Sequence, residues 1–267
     1  MQADLIFDLG LHNGEDSVFY LKKGFRVVGV EANPELCAAA RETFADAITG
    51  GAFVLVNKAV AAAPGRVTFY KNTADSVWGT IDPDFAARNR RLGTANVTCD
   101  VEATTVDALI AAFGVPYYMK VDIEGLDLVA VEGLRANGDR PKFVSLESDK
   151  VSMRALRREF EVLRELGYDR FKIVPQHGVE RQSSPDPARE GRAAAHQFAR
   201  GASGLFGEEA PGEWLTAEDA IEAYRPIFLR YALTGDDPFV RSRTLRRILN
   251  RIGFRSGWYD THAKRDG

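Results

Sequence analysis

The sequence has few cysteines and no hydrophobic run long enough to cross a membrane. Its 267 residues include two cysteines, Cys37 and Cys99, which lie far apart and match neither a metal-ligand spacing nor a C-x-x-C motif. No apolar stretch approaches the roughly 18 residues of a membrane span. The N-terminal MQADLIFDLG lacks the basic region and long apolar segment of a secretory signal. We therefore expect no disulfide framework, no membrane span and a cytoplasmic location.

Most of the chain carries no excess of positive charge. The formal net charge is −3, but residues 225–267 carry nine arginines and one lysine against four acids. So short a basic stretch more often covers a solvated face or packs on an acidic neighbour than binds nucleic acid. We therefore expect no nucleic-acid partner. A homodimer is compatible with this composition.

Apolar runs alternate with helical patterns along the first two thirds of the chain. Strand patterns cover 5–9, 26–31, 53–57, 117–121, 143–147 and 171–174, and helical patterns cover 18–22, 34–44, 105–113, 126–134 and 153–166. An inserted strand is expected at 67–70, within a region whose remainder, 72–96, is polar and irregular. Such alternation requires right-handed crossovers and a mostly parallel sheet covered on both faces. The fold class is therefore α/β, a doubly wound Rossmann-like sheet.

The composition changes after residue 177, which suggests three parts. Residues 1–177 form the sheet domain, and 178–216, rich in Gly, Pro, Ser and Arg, form a long loop or lid. Residues 217–267 are expected to be a helical extension packed on the core, with helices at 217–231 and 239–252. The second of these helices has an apolar stripe opposite four arginines.

The loop after the first strand points to a nucleoside ligand. Its glycines, Gly10 and Gly14, form G-x-x-x-G rather than the G-x-G-x-x-G that places a pyrophosphate on a helix N-terminus. Glu15 and Asp16 would repel phosphates but suit an ammonium or sulfonium charge. Glu31 ends the second strand 21 residues after Gly10, where an acid can accept both ribose hydroxyls. S-adenosylmethionine combines all these features.

The adenine of such a ligand is expected beside residues 57–60, where small side chains leave room for a planar ring. The full set of candidate cofactor-binding residues is Asp8, Gly10, Leu11, His12, Gly14, Asp16, Glu31, Ala32, Asn33, Asn57, Ala59, Val60 and Asp122. The alternative interpretation is that the glycines only turn the chain and that Glu31 caps the following helix. The protein would then be a nucleoside-binding module without catalysis, or an interaction domain.

Three sequence blocks resemble the FkbM-type methyltransferases. They are FDLGLHNGEDSVFYLKKGFRVVGVEANP, NKAVAAAPGRVTFY and TVDALIAAFGVPYYMKVDIEGLDLVAVEGL, and the last contains the family's K-[IV]-D-[IV]-E-G signature at 120–125. The resemblance spans about residues 4–175. It implies a class I S-adenosylmethionine-dependent methyltransferase that acts on hydroxyls of sugars or natural products. It also implies that Asp8, Gly10, His12, Gly14, Glu31 and Asn33 hold the cofactor and that Asp122 faces the site of methyl transfer.

Methyl transfer is an in-line displacement, so the protein must align the acceptor, remove its proton and exclude water. The groups at or just past predicted strand ends that could remove this proton are Asp122, Glu124, Glu147, Asp149 and His177. Of these, Asp122, Glu147 and His177 are the candidate catalytic residues. Alternatively, Asp122, Glu147 and Asp149 could bind Mg²⁺ or Ca²⁺. A plainer role for Glu147 and Asp149 is helix capping before Ser152. For Lys120 we favour an ion pair with a neighbouring acid.

Two further segments could serve the acceptor. Residues 76–80 could form a wall of its pocket, although Trp78 could equally be a packing residue. Residues 201–207 have glycines around two apolar anchors and could close over the substrate, or could form a simple surface loop. The sequence thus favours O-methylation of a small molecule or sugar in a biosynthetic pathway. An N-methyltransferase remains the closest alternative.

Overall fold

The protein is built around a large central sheet and a small second sheet. The fold is described from a computed structural model that covers residues 1–235 and 257–266. The strands are β1 (Gln2–Leu9), β2 (Arg26–Val30), β3 (Phe53–Val56), β4 (Ala59–Val60), β5 (Gly65–Asn72), β6 (Asn96–Thr104), β7 (Pro116–Val121), β8 (Phe143–Glu147), β9 (Arg170–Pro175) and β10 (Tyr259–Lys264). The helices are α1 (Glu15–Lys22), α2 (Pro34–Thr43), α3 (Ala45–Thr49), α4 (Pro83–Arg91), α5 (Val106–Phe113), α6 (Asp127–Glu132), α7 (Met153–Glu165) and α8 (Ala217–Thr234).

The central sheet has seven strands in the order β3-β2-β1-β7-β8-β10-β9. Neighbouring strands are parallel except that β10 runs antiparallel to both β8 and β9. The strand order reverses between β1 and β7, and ligands of open α/β sheets bind at such a reversal. The doubly wound α/β prediction is therefore confirmed.

Side chains of β1 show how the sheet is covered on both faces. Leu5, Phe7 and Leu9 pack into a core with residues of α5, α6, α7 and α8. Ile6 belongs to a second core, which includes residues of α1 and the segment after β9. Alternate residues of a strand point to opposite faces, so a continuous apolar run is required where both faces are buried.

The small sheet has the strand order β4-β6-β5. It lies with helix α4 in a region whose secondary structure the sequence predicted only in part. Residues 72–96 were expected to be irregular, but they include all of α4 and the start of β6. Only Ala86 and Asn89 of α4 are buried, so the helix has no apolar stripe to reveal it. The sequence nevertheless marks the start of α4. The Asp82 side chain accepts the backbone N–H of Asp84, and Pro83 follows at the first helical position.

The region 217–267, expected to be a helical extension, also contains a strand. Helix α8 is present, but β10 inserts between β8 and β9 and completes the central sheet. Strand β10 reads YDTHAK, and its buried Thr261 and His262 give it no apolar run. The predicted helix at 239–252 lies outside the described residues.

The segment 178–216 is irregular, as expected, but much of it is packed into the core. Phe198 and Phe206 are buried, and their ring centroids lie 4.7 and 6.3 Å from that of Phe19 in α1. The Lys23 ammonium contacts both carboxylate oxygens of Glu209 at 2.8 Å, and both side chains are inaccessible to solvent. The segment thus covers α1. None of the helices within 1–235 and 257–266 is long and apolar enough to cross a membrane.

Candidate functional site

A cleft opens beyond the carboxyl ends of β1, β2 and β7, where the strand order reverses. We call it the first cleft. Of the residues predicted to bind a cofactor, those that line it are Gly10, Leu11, His12, Asp16, Glu31, Ala32, Ala59, Val60 and Asp122. Further lining residues are Lys58, Lys120 and Glu124, together with Ser76, Val77, Gly79 and Thr80. Residues far apart in sequence therefore meet at one edge of the sheet.

Gly10 allows the loop after β1 to lie directly on the end of β7. Its φ is +86°, and a Cβ added there would lie 1.7 Å from the carbonyl oxygen of Asp122. Gly14 has a different role, because a Cβ there would lie 2.5 Å from the Phe44 ring. Gly14 thus permits helix packing and does not line the cleft, whereas Gly10 sets the width of the cleft itself.

Glu31 is held in the first cleft by backbone donors. Its Oε2 accepts the N–H of His12 at 2.8 Å, and its Oε1 accepts that of Asn33 at 2.7 Å. Burial raises the pKa of Glu31, and these two hydrogen bonds act in the opposite direction. Each carboxylate oxygen can accept more than one hydrogen bond, so capacity remains for two hydroxyl groups. Helix α2 is capped by Asn33, whose Oδ1 accepts the N–H of Glu35 at 3.0 Å.

Asp8, Gly14, Asn33 and Asn57 were predicted to bind the cofactor but do not line the cleft. Asp8 is fully buried beneath it and accepts the Ser17 hydroxyl at 2.6 Å. The Asn57 amide donates to the carbonyl oxygens of Glu31 and Ala32 at 3.0 and 3.3 Å. These side chains shape the wall from behind, and sequence position alone does not separate such residues from those that face the ligand.

Lys120 sits at the centre of a buried charge cluster. Its Nζ lies 3.4 Å from Asp8, 3.3 Å from Asp16 and 3.5 Å from Asp122. Burial lowers the pKa of Lys120, but these carboxylates outweigh burial and raise it well above the ordinary value. The predicted ion pair is confirmed, and it has three acidic partners instead of one. With one ammonium among three carboxylates, the cluster suits a cationic ligand.

The three candidate catalytic residues do not converge. Asp122 lines the first cleft, and its side chain is 42% exposed. Glu147 lines another cleft and pairs with Lys150. His177 is exposed beyond the end of β9, with its ring 6.2 Å from that of Tyr259, and it lines neither cleft. Since β10 separates β8 from β9, the ends of these strands are further apart than chain order suggested.

The other cleft, here the second cleft, lies beyond the ends of β7 and β8. It is lined mainly by aromatic and charged side chains, namely Trp78, Phe85, Arg88, Glu124, Asp127, Glu147, Asp149, Lys150, Arg158, Glu159, Tyr231 and Trp258. Glu124 lines both clefts. The segment 76–80 lies between them, because Trp78 faces the second cleft and its neighbours face the first. The segment is thus part of the walls of both clefts, and its contact with the acceptor stays a prediction.

Glu124 is one of the acids that the sequence places at a strand end, but it was not among the three chosen as catalytic. Its φ of 49° is unusual for a residue other than glycine, and such conformations cluster at functional sites. The Thr80 hydroxyl donates to its carbonyl oxygen at 2.7 Å. Burial, followed by the negative charges of Asp122, Glu147 and Asp127, raises its pKa well above the ordinary value. The signature at 120–125 contained this residue, and only the structure shows that it touches both clefts.

The proposed metal ligands have other partners. Asp149 Oδ1 accepts the N–H of Val151 at 2.8 Å and that of Ser152, whose own hydroxyl caps α7. Glu147 is paired with Lys150. Within 1–235 and 257–266, no group of three or more His, Cys, Asp or Glu side chains is arranged to hold a metal ion.

The sheet order, the position of the first cleft and its ribose-spaced acid define a class I nucleoside-binding α/β fold. Residues 8–170 match the family described as methyltransferase FkbM domain. The match spans more than half of the chain, which therefore belongs to the FkbM methyltransferase family. The protein is a methyltransferase dependent on S-adenosylmethionine.

Solved structures give a weaker likeness. One is a precorrin-6y C5,15-methyltransferase from Geobacter metallireducens GS-15, with 10% identity, a TM-score of 0.41 and coverage of 100% of this chain and 82% of that one. Another is a methyltransferase from Geobacter sulfurreducens in complex with S-adenosyl-L-homocysteine, with 11% identity, a TM-score of 0.36 and coverage of 99% and 85%. No curated protein is significantly similar to the sequence. At these values the likeness adds nothing to the fold shown by the sheet itself.

Proposed function

We propose that the enzyme methylates a hydroxyl group of a small molecule or sugar in the cytoplasm, as part of a biosynthetic pathway. The observation that carries this proposal is the position of Glu124, a half-buried carboxyl group that lines both clefts. One cleft would hold the cofactor and the other the acceptor. Nucleic acid is not expected as the acceptor, because the second cleft is lined by more carboxylates than cations.

The residues of the first cleft fit S-adenosylmethionine. Glu31 has acceptor capacity left for the ribose hydroxyls, and the excess negative charge around Lys120 suits the ammonium and sulfonium groups. Ala32, Ala59 and Val60 offer small apolar side chains for the adenine. The cofactor, when bound, supplies an electrophilic methyl group, and the chain's task is to orient the acceptor and manage its proton.

Glu124 is suited to take the proton of an acceptor hydroxyl. Burial and then the charges of neighbouring carboxylates raise the pKa of Glu124 well above its ordinary value, which makes its carboxylate a stronger base. Asp122, on the wall of the first cleft, can accept a hydrogen bond from the same hydroxyl. Glu147 lies in the second cleft and is therefore placed to contact the acceptor, while His177 is not.

N-methylation of a small molecule is the second candidate. The carboxylates of the second cleft favour it, because they suit an amine as well as a hydroxyl. A neutral amine needs less help from a base than a hydroxyl does. Glu124→Gln should therefore lower kcat by a factor of about 10² to 10⁴ for a hydroxyl acceptor and much less for an amine.

The decisive experiment supplies the enzyme with S-adenosylmethionine labelled in the methyl group and with a metabolite extract, and locates the label in the products by mass spectrometry. Label on oxygen supports the proposal, and label on nitrogen supports the second candidate. Calorimetric titration provides the check on the cofactor. Tight binding of NAD without binding of S-adenosylmethionine would overturn both candidates.

A further inference from the structure

Among the described residues, the second cleft is lined by more carboxylates than cations, and two of its cations are held in ion pairs. Lys150 pairs with Glu147. Arg158 faces carboxylates of helices outside the cleft, at 3.1 Å for Glu132, 3.7 Å for Glu161 and 3.8 Å for Glu165. The nearest ring to Arg88 is that of Phe85, 5.0 Å away, and Arg88 lowers the pKa of Glu124 less than the neighbouring carboxylates raise it. The cleft thus keeps an excess of negative charge.

Glu159 provides the clearest unmet interaction in this cleft. The residue is 7% exposed, and its Oε1 accepts the N–H of Asp149 at 2.9 Å. Its Oε2 is buried and has no hydrogen-bond partner within the described part of the chain. Ser148 lies beside it and opposes the rise of its pKa, and the Ser148 and Thr261 hydroxyls share a hydrogen bond of 2.6 Å in which either oxygen can be the donor. Since a buried acceptor without a partner is costly, a donor supplied by a ligand would stabilise this side chain.

Aromatic rings line the same cleft. Trp78, Phe85, Tyr231 and Trp258 all contribute to its walls, and Trp258 is 57% exposed. Aromatic faces attract organic cations through the negative charge of the ring face. The cleft already shows this preference, because Lys150 Nζ lies 5.6 Å from the centroid of the Tyr231 ring.

We infer that the second cleft binds an organic ammonium group of the acceptor, with Glu159 and Asp127 as its charge partners and Trp78 and Trp258 as its aromatic walls. This inference rests on the proposed function, since it assigns the acceptor to the second cleft. A protonated amine has no lone pair and cannot itself receive the methyl group. The ammonium therefore positions the acceptor, and the methyl group is transferred to another atom of the same molecule.

The test compares 3,3-dimethylbutylammonium with 3,3-dimethyl-1-butanol, which has nearly the same shape without the charge. Binding is followed by calorimetric titration, which needs no reporter residue and therefore serves every variant. We expect the ammonium to bind at least about tenfold more tightly than the neutral alcohol. Glu159→Gln should remove most of this preference, whereas Glu161→Gln, an exposed change on the same helix, should leave it intact. Trp258→Leu, at a site that is 57% exposed, should weaken ammonium binding without affecting folding.

Equal affinity for the two probes would overturn the inference, as would absence of binding for both, or identical behaviour of the two glutamate variants. The affinity for S-adenosylmethionine is measured in parallel for every variant. If this affinity is normal and the charge preference is absent, the inference fails alone. If S-adenosylmethionine does not bind the parent protein, the proposed function fails whatever the ammonium probe does.

Discussion

The two clefts differ in how their buried charges are balanced. In and beneath the first cleft, donors of the chain itself meet the buried carboxylates: backbone N–H groups bind Glu31, and Ser17 and Lys120 bind Asp8. Asp16 likewise accepts the N–H of Ser203 at 2.9 Å and lies 3.3 Å from Lys120. In the second cleft, burial and then neighbouring carboxylates raise the pKa of Glu124 and of Asp127, and Glu159 keeps an unpaired oxygen among the described residues.

This difference shows which site is preorganised and which depends on its ligand. A fully satisfied polar network is rigid and holds its shape when empty, whereas a partly satisfied one gains most from a ligand that completes it. We therefore expect changes in the first cleft to reduce stability and cofactor affinity together. Changes in the second cleft should act mainly on acceptor selection and on the response to pH.

Removal of the Lys120 ammonium should have the largest effect. Lys120→Met leaves Asp8 and Asp16 buried without their counter-charge, and breaking a buried ion pair on one side costs about 3–5 kcal/mol. Urea denaturation should show this loss in the free energy of unfolding. The matched control is Lys71→Met, which breaks an exposed pair with Glu35 and should cost at most about 1 kcal/mol. Equal losses in both variants would show that the first cleft is not a preorganised charge cluster.

Substitution of Glu31 tests whether its carboxylate binds the ribose of the cofactor. Glu31→Gln replaces an acceptor of two backbone N–H groups with a side chain that can accept only through one oxygen. Hydrogen bonds to a charged group contribute about 1.5–3 kcal/mol, so the Kd for S-adenosylmethionine should rise by about 10- to 100-fold. Glu35→Gln, an exposed change in the first turn of α2, should leave the Kd unchanged. An unchanged Kd in Glu31→Gln would exclude Glu31 from ribose binding.

A side chain at position 10 should disrupt the close contact between the loop after β1 and the end of β7. Gly10→Ala introduces a Cβ 1.7 Å from the Asp122 carbonyl oxygen at a φ of +86°, so the backbone must move and the cleft must change width. The affinity for S-adenosylmethionine should fall by about tenfold, which calorimetry can measure. Gly93→Ala is the control, because its φ of +92° gives similar strain with nothing within 4 Å. If Gly93→Ala weakened cofactor binding equally, strain and not close approach would be the cause.

The first cleft was also the more predictable of the two. Its residues sit at the ends of short, strongly apolar strands, and Gly10, Glu31 and Asp122 follow these strands directly. The pattern could not separate residues that face the ligand, such as Glu31, from buried supports of the wall. Asp8 and Asn57 were therefore included among the cofactor-binding residues, although both stand behind the wall of the cleft.

The second cleft could not be foreseen to the same degree, because its walls come from elements with weak sequence signals. Helix α4 supplies Phe85 and Arg88 but buries little apolar surface. Strand β10 is polar, and its insertion moves β9 and His177 away from the ends of β7 and β8. Side-chain pairing, such as that of Glu147 with Lys150, depends on this tertiary arrangement and leaves no periodic pattern in the sequence.

The most gradual expected effect is a pH dependence that originates in the second cleft. Burial raises the pKa of Glu159 to about 8, opposed by the Asp149 N–H and Ser148 and reinforced by the charges of Asp149 and Glu147. Because the folded state holds this proton more tightly than the unfolded state, the stabilisation is complete below the unfolded pKa. It is then lost as the pH rises through the folded pKa.

The free energy of unfolding should therefore fall between about pH 4.5 and about pH 8, by at most about 1.4 kcal/mol per pH unit for this one group. Glu159→Gln should flatten that part of the curve in urea denaturation, and Glu161→Gln, exposed on the same helix, should not. The 3,3-dimethylbutylammonium probe should make the parent protein resemble the flattened curve, because an ammonium beside Glu159 favours its ionised form. If the probe leaves the curve unchanged, the unpaired carboxylate of Glu159 is not part of the proposed ammonium site. The two clefts would then differ only in burial.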